Sequence, residues 1–223
     1  LGGEGYIDSY RQAINNAEQS GTIVIAASGN RGPNTSDSPA NVYDAVAVGA
    51  TDRYKSVAGF SSGERIVTEN AWRNPPAEWP NEYVVPDVVA PGVQVQSAAP
   101  DGTYQSLSGT SMATPHVAGT AVLMESATQR DLTPDEIKGG LTESTEDINH
   151  PRVRSGDGLI SADGAVAAVA DQPERDVGYY TNDNGRVGTN QLFRAVADWR
   201  DDQITDMLIQ EVISYWRSGE KFN

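Results

Sequence analysis

Gly109-Thr110-Ser111-Met112-Ala113-Thr114-Pro115-His116-Val117-Ala118-Gly119 puts a serine on a glycine-hinged turn just ahead of a helix of very small residues. Ala113, Ala118 and Ala121 allow close backbone approach. Met112, Val117, Val122 and Leu123 make the helix apolar on nearly every side, the pattern of a helix that is buried all round. Pro115 is expected in its first turn, where a missing N–H is no loss. A buried helix whose N-terminus presents Ser111 to a cleft suits a nucleophile. The plain alternative is a serine that only caps the helix.

The segments around this one describe an α/β chain. Tyr6, Tyr10, Ala13 and Ala17, with Ile7 and Ile14, recur at helical spacing, and Gly21 ends that helix. Thr22 to Ala27 is a short apolar, β-branched run, as in a strand buried on both faces of a parallel sheet. Ser28 to Pro33 is then a loop at its C-terminal edge, where open α/β sheets place ligands. Ala45 to Val48 and Val84 to Val89 read as two further buried strands. Between them Gly63 to Tyr83, polar and holding Pro75-Pro76, reads as a surface insertion. Thr133 opens a helix as a cap, with Pro134 at its first position and Glu136 closing a capping box. Ser161 opens another, through Val169.

In order along the chain, Ile23 to Asn30, Asp44 to Ala50, Phe60-Ser61-Ser62, Val88 to Val93, Gly109 to Gly119 and Gly156 to Ala162 resemble the segments of subtilisin-like serine proteases, the subtilases. The likeness runs from Leu1 to about Ala170. It implies a doubly wound, mostly parallel α/β sheet that lacks the family's N-terminal strands. It implies Ser111 as nucleophile and Asn30 as the side-chain donor of the oxyanion hole. Leu1, Gly2 and Gly3 on one side, and Ala27, Ser28 and Gly29 on the other, correspond to the walls of the pocket for the residue before the cut. Their small size suggests tolerance of large apolar side chains. The loop of Ala50 and Asp52, with Asp87, resembles a weak cation site of some subtilases, with oxygen ligands for calcium or sodium. Surface acidity accounts for both aspartates equally well, so no metal residue is assigned, and the chemistry requires no cofactor.

One departure from the family is decisive. A serine hydroxyl needs a base oriented by a carboxylate, and in subtilases the order is aspartate, histidine, serine. This chain has two histidines, His116 and His150, both after Ser111. Neither matches the family's base, and no Asp-Ser/Thr-Gly segment precedes them. With no initiator methionine or signal peptide, and with Leu1-Gly2-Gly3 matching a mid-domain strand, the expectation is the C-terminal portion of a longer protease. Alone, such a portion is expected to be inactive and poorly folded. The alternative is a non-catalytic scaffold or binding protein that keeps the framework without the triad.

Composition narrows the partners. The 31 acidic and 16 basic residues give a net charge of −15, which argues against nucleic acid and anionic membrane surfaces and leaves a protein or peptide as substrate. Abundant carboxylates and only three lysines suggest adaptation to high salt. Zero cysteine excludes disulfides and thiolate metal sites. No run approaches the roughly 20 apolar residues of a membrane span. An extracellular location is expected.

Residues 171–178 are charged and carry Pro173, so they mark a linker after the peptidase-like region of residues 1–170. The tail, residues 179–223, holds a weak duplication: Leu192, Val196 and Trp199-Arg200 align with Ile209, Ile213 and Trp216-Arg217 at a 17-residue offset. A small helical hairpin able to bind another protein is expected. Thr181 to Gly185 loosely resembles the calcium loop of dockerin-like modules. Tyr180 and Gln191 stand where such a loop needs carboxylates, so a plain turn is the better reading.

Overall fold

Six consecutive residues with no side chain larger than valine, Val46–Thr51, run fully buried through the larger of two compact units. The structure, a computed structural model, describes residues 2–128, 131–170, 180–181, 186–200 and 206–219. The units are Leu1–Ala170 and Asp171–Asn223. In the first, the strands are β1 (Gly3–Glu4), β2 (Ile25–Ala27), β3 (Asp37–Ser38), β4 (Val46–Thr51), β5 (Glu64–Val67), β6 (Glu82–Val85), β7 (Val88–Pro91), β8 (Val95–Ala98) and β9 (Tyr104–Leu107). Its helices are α1 (Asp8–Gln19), α2 (Thr68–Ala71), α3 (Thr110–Ser126), α4 (Pro134–Glu143), α5 (Arg152–Ser155) and α6 (Ala162–Val169).

β2, β4 and β7 form a parallel sheet in that order, with Ile25 opposite Val46 and Val48 opposite Val88. α3 lies on it, flanked by α4 and α6, and the core between them holds Val46, Val48, Val88, Val117, Met124 and Leu141. α/β architecture with a parallel sheet is therefore established. β4 is covered on both edges, and β7 takes a parallel bridge from Leu159 at Val89 on its other edge. β2 pairs with β4 alone among the described residues, and Ile25 and Ala27 are half-buried where the sequence pattern called for full burial.

Two expected elements change. Residues 84–89 are not one strand. Pro86 has no N–H to give a ladder, so the chain divides there: Val85 pairs with Glu64 in an antiparallel hairpin, and β7 restarts at Val88 beside β4. The segment 63–83, read as a surface insertion, lies at the surface but is anchored in the core by its two tryptophans. Trp72 and Trp79 are buried, stacking edge-on at 5.8 Å, and Tyr43, Tyr83 and Tyr6 complete the cluster. Each indole buries a large apolar area only if its N–H finds an acceptor. Trp72 Nε1 donates to Tyr83 Oη at 2.8 Å, and Trp79 Nε1 to Asp44 Oδ1 at 2.8 Å.

The helix signals were more literal. Thr133 accepts from Glu136 N–H while Glu136 reaches back, the full capping box. Ser161 Oγ accepts from Gly164 N–H at 3.1 Å. α3, however, begins earlier than expected, so Pro115 lies inside it rather than in its first turn.

The second unit is helical: α7 (Thr189–Arg200) and α8 (Asp206–Ser218) pack around Tyr180, Val187, Ala195, Ile209 and Val212. The 17-residue offset also relates Ala195 to Val212, the two most buried helix positions. Ala195 is too small to announce a seam in sequence, whereas Val196, Trp199 and Trp216 are exposed. The expected linker, residues 171–178, and residues 182–185 of the loop lie outside the described residues. Tyr180 is fully buried, as a core residue would be. Among the described residues no helix is long and apolar enough to cross a membrane.

Candidate active site

Ser111 owes its place to a close approach between two backbones. Gly92, just past β7, accepts the Gly109 N–H at 2.8 Å. A Cβ there would stand 2.6 Å from Ala50 Cβ and 2.8 Å from the Gly109 carbonyl, so only glycine lets the start of α3 sit on the sheet. Ser111 thus arrives at the C-terminal edge of the parallel strands. It is the second residue of α3 and exposed; Gly109, not Ser111, is the residue before the first turn. The capping alternative for Ser111 therefore does not describe this helix.

Asn30 reaches the same edge from β2. Ser28 N–H continues the ladder to Val48 O at 2.9 Å, and its buried hydroxyl donates to Ser62 O at 3.1 Å. Gly29 then turns the chain with φ +114°, where a side chain would meet the Asp37 carboxylate. Thr110 locks the outcome. Its N–H donates to Asn30 Oδ1 at 2.9 Å, and its hydroxyl lies 3.1 Å from the same oxygen. A backbone N–H can only donate, so the atom it meets must be the amide oxygen. Asn30 Nδ2 is consequently the free end, exposed at the mouth of the site with no acceptor among the described residues.

The helix start supplies a second donor. Thr110 N–H is taken by Asn30, but Ser111 N–H has no acceptor among the described residues. It stands at the positive end of the α3 dipole, where unpaired amides favour negative charge. Two free N–H groups beside one exposed hydroxyl can hold an oxyanion generated at that hydroxyl.

The chain's two histidines bond elsewhere. His116 follows Ser111 by five positions, about 140° round the same helix, and its Nδ1 lies 3.0 Å from Met112 O. His150, half-buried, precedes α5, and its Nε2 accepts from Val57 N–H at 3.5 Å. Neither is bonded to Ser111 Oγ.

The two expected pocket walls are tied together by a strand the sequence reading did not single out. Gly3 pairs with Ser38 of β3, and Asp37 N–H of β3 donates to Ser28 O at 3.0 Å. Leu1 lies outside the described residues. Asp37 also binds Arg31 at 2.5 Å, and Arg31 lies 3.5 Å from Glu4. Charge therefore borders walls that small residues alone suggested were apolar. Thr110 and Ser62 are the other functional neighbours missed. Ser62 accepts from Arg31 N–H at 3.1 Å and backs the Asn30 turn. Their signal was present, in Gly-Thr-Ser and Phe-Ser-Ser, but a short polar residue in a loop has many uses.

The aspartates that the family resemblance linked to a cation, left unassigned above, each bond to other groups. Asp52 turns its Oδ1 to the N–H groups of Tyr54 and Ser56, at 2.8 and 3.0 Å. Asp87 accepts from Ala47 N–H at 2.7 Å and faces Lys138. Short loop carboxylates satisfy nearby amides first. No group of three or more histidine, aspartate or glutamate side chains converges as metal ligands among the described residues.

Comparison with known proteins gives the family. The profile of the Subtilase family matches residues 2–185. Subtilisin BL of Lederbergia lenta is 38% identical over 156 residues, 70% of this chain and 50% of that protein. Alkaline elastase YaB of Bacillus sp. (strain YaB) is 36% identical over 167 residues, 74% of this chain and 38% of its own length. Among solved structures, a protease of the bacterium Pseudoalteromonas arctica superposes with a TM-score of 0.62 at 32% identity, covering 76% of this chain and 50% of that one. The chain spans half or less of the length of these curated relatives.

Proposed function

The chain belongs to the subtilase family, and on that premise we propose that it carries the nucleophile and oxyanion hole of a serine endopeptidase. Ser111 Oγ attacks the scissile carbonyl carbon and gives its proton to a histidine supplied from outside these 223 residues. The oxyanion that forms accepts from Asn30 Nδ2 and Ser111 N–H. Collapse of that intermediate breaks the C–N bond, the amine leaves with the histidine's proton, and water then frees Ser111 from the acyl-enzyme. Gly2, Gly3, Ala27, Ser28 and Gly29 bound the pocket for the residue before the cut, in a protein or peptide met outside the cell. Cofactors play no part in these steps.

The observation that carries this reading is the pinning of Asn30 Oδ1 by Thr110 N–H at 2.9 Å. A plain turn asparagine has no need to be clamped with its donor facing outward beside a serine. That more polypeptide belongs against this chain is supported by α3. Its apolar residues Val122 and Leu123 are 64% and 52% exposed, Val122 sharing a surface groove with Ile23 and Ile25 of the β2 segment. Parallel sheets are normally covered on both faces. The test is peptide hydrolysis by the longest natural protein containing this chain, with its Ser111→Ala variant. Activity that survives the substitution would refute the assignment.

A further inference from the structure

Asp87 is the carboxylate that the sequence reading linked to a cation, and it does have one. Lys138 Nζ, from the middle of α4, lies 3.6 Å from Asp87 Oδ1, 2.5 Å from Tyr43 O and 2.9 Å from Ala45 O. The face of the Tyr43 ring is 4.9 Å away, measured to its centroid. An ammonium has three N–H donors, and three oxygens surround this one. The aromatic face adds the attraction it offers to a compact cation. Both side chains are largely sequestered, at 22% and 20% exposure for Lys138 and Asp87.

The position is structural as well as polar. Tyr43 and Ala45 lead into β4, and Asp87 leads into β7, so one ammonium joins the entries of two parallel core strands to a helix. Asp87 is itself fixed to the sheet, accepting Ala47 N–H through its side chain and donating its own N–H to Ala47 O at 2.8 Å. Burial pushes the Asp87 carboxyl above the ordinary range, and Lys138 draws it back. A polar cavity of about 420 Å³ borders the group, lined by Tyr43, Asp87 and Lys138 with Arg65, Glu82 and Asp157. Calcium fits poorly here, since it takes about 6–8 oxygens at 2.3–2.6 Å.

We propose that Tyr43 O, Ala45 O, the Tyr43 ring and Asp87 form a primary-ammonium site whose resident ion is Lys138 Nζ. Once the side chain is cut back to its β-carbon, the site binds free propylammonium, the atoms that Lys138→Ala removes. This inference is independent of Ser111.

The test is thermal unfolding of the full-length protein and its Lys138→Ala and Lys138→Met variants, each with n-propylammonium chloride, sodium chloride or calcium chloride at equal ionic strength, and with 1-propanol. Both variants are expected to melt several degrees below the parent. Propylammonium restores the alanine variant saturably, beyond the effect of the other additives, and leaves the methionine variant, whose alkyl chain fills the space, unrestored. A methionine variant as stable as the parent would overturn the proposal. So would a propylammonium shift no larger than that of sodium chloride. If the alanine variant does not fold alone, recovery of its fold during refolding is the readout: recovery with propylammonium supports the site, and none overturns it.

Discussion

Eighty positions separate Asn30 from Thr110, and their hydrogen bond turns two short motifs into one site. Replacing Asn30 by alanine removes the side-chain donor. Turnover is expected to fall on the order of 10²–10³, a figure established on subtilisin itself, with KM little changed. Steady-state kinetics on the full-length protein would show it, and an equal loss carried by KM would contradict the role. Thr110→Val keeps the N–H bond but loses the hydroxyl, so the amide gains freedom. A smaller fall in turnover is expected, with Thr110→Ser restoring most of it. At this scale the long specific runs around Ser111 and Asn30 singled both out, and the structure brings the two segments together through Thr110. Thr110 stayed silent because its work is done across the chain, by a contact that no local pattern encodes. Asp52 and Asp87 were undecided in sequence for the same reason, and in the structure they turn to different partners.

Elements were legible where one residue type has one local job. The capping box at Thr133 is such a case, and Thr133→Ala should cost about 1 kcal/mol in chemical denaturation. Legibility failed where tertiary partners decide. Pro86 split a run of apolar residues that looked like one strand. The tryptophans of 63–83 were buried because Asp44 and Tyr83 accept their N–H groups. Tyr83 is the hinge of that cluster: its hydroxyl takes the Trp72 N–H and donates to Asn41 O at 2.7 Å. Tyr83→Phe leaves both groups unpaired and should destabilise by about 1–3 kcal/mol. Burial raises the Tyr83 pKa, and burial followed by Glu64 pushes Tyr6 from 10.0 to about 12. Folding therefore holds these protons longer than the unfolded chain does. The stability linked to them is complete below about pH 10 and is lost as pH rises towards 12. Melting temperatures measured from about pH 8 to 12 should be flat and then fall, and Tyr83→Phe should flatten the fall. A decline that begins well below about pH 10 would need another cause.

The whole molecule carries two signals that no single element does. Its charge of −15 makes self-repulsion a global cost. Raising sodium chloride from about 0.1 to 1 M shortens the screening length from about 10 to about 3 Å and should raise the melting temperature. An unchanged or lower value would count against adaptation to salt. The second signal concerns the proposed site: an exposed serine with no histidine bonded to it among the described residues, beside an edge strand and a helix that are partly exposed. Neither feature was visible in composition, and the first showed only in where the histidines fall. The measurement that bears most directly on this account is mass-spectrometric mapping of a fluorophosphonate probe on the longest natural protein containing these residues, beside the 223-residue chain alone. Labelling of Ser111 in the longer protein, absent from the chain alone, is the predicted result. Labelling at another serine, or equal labelling of Ser111 in both, would contradict it.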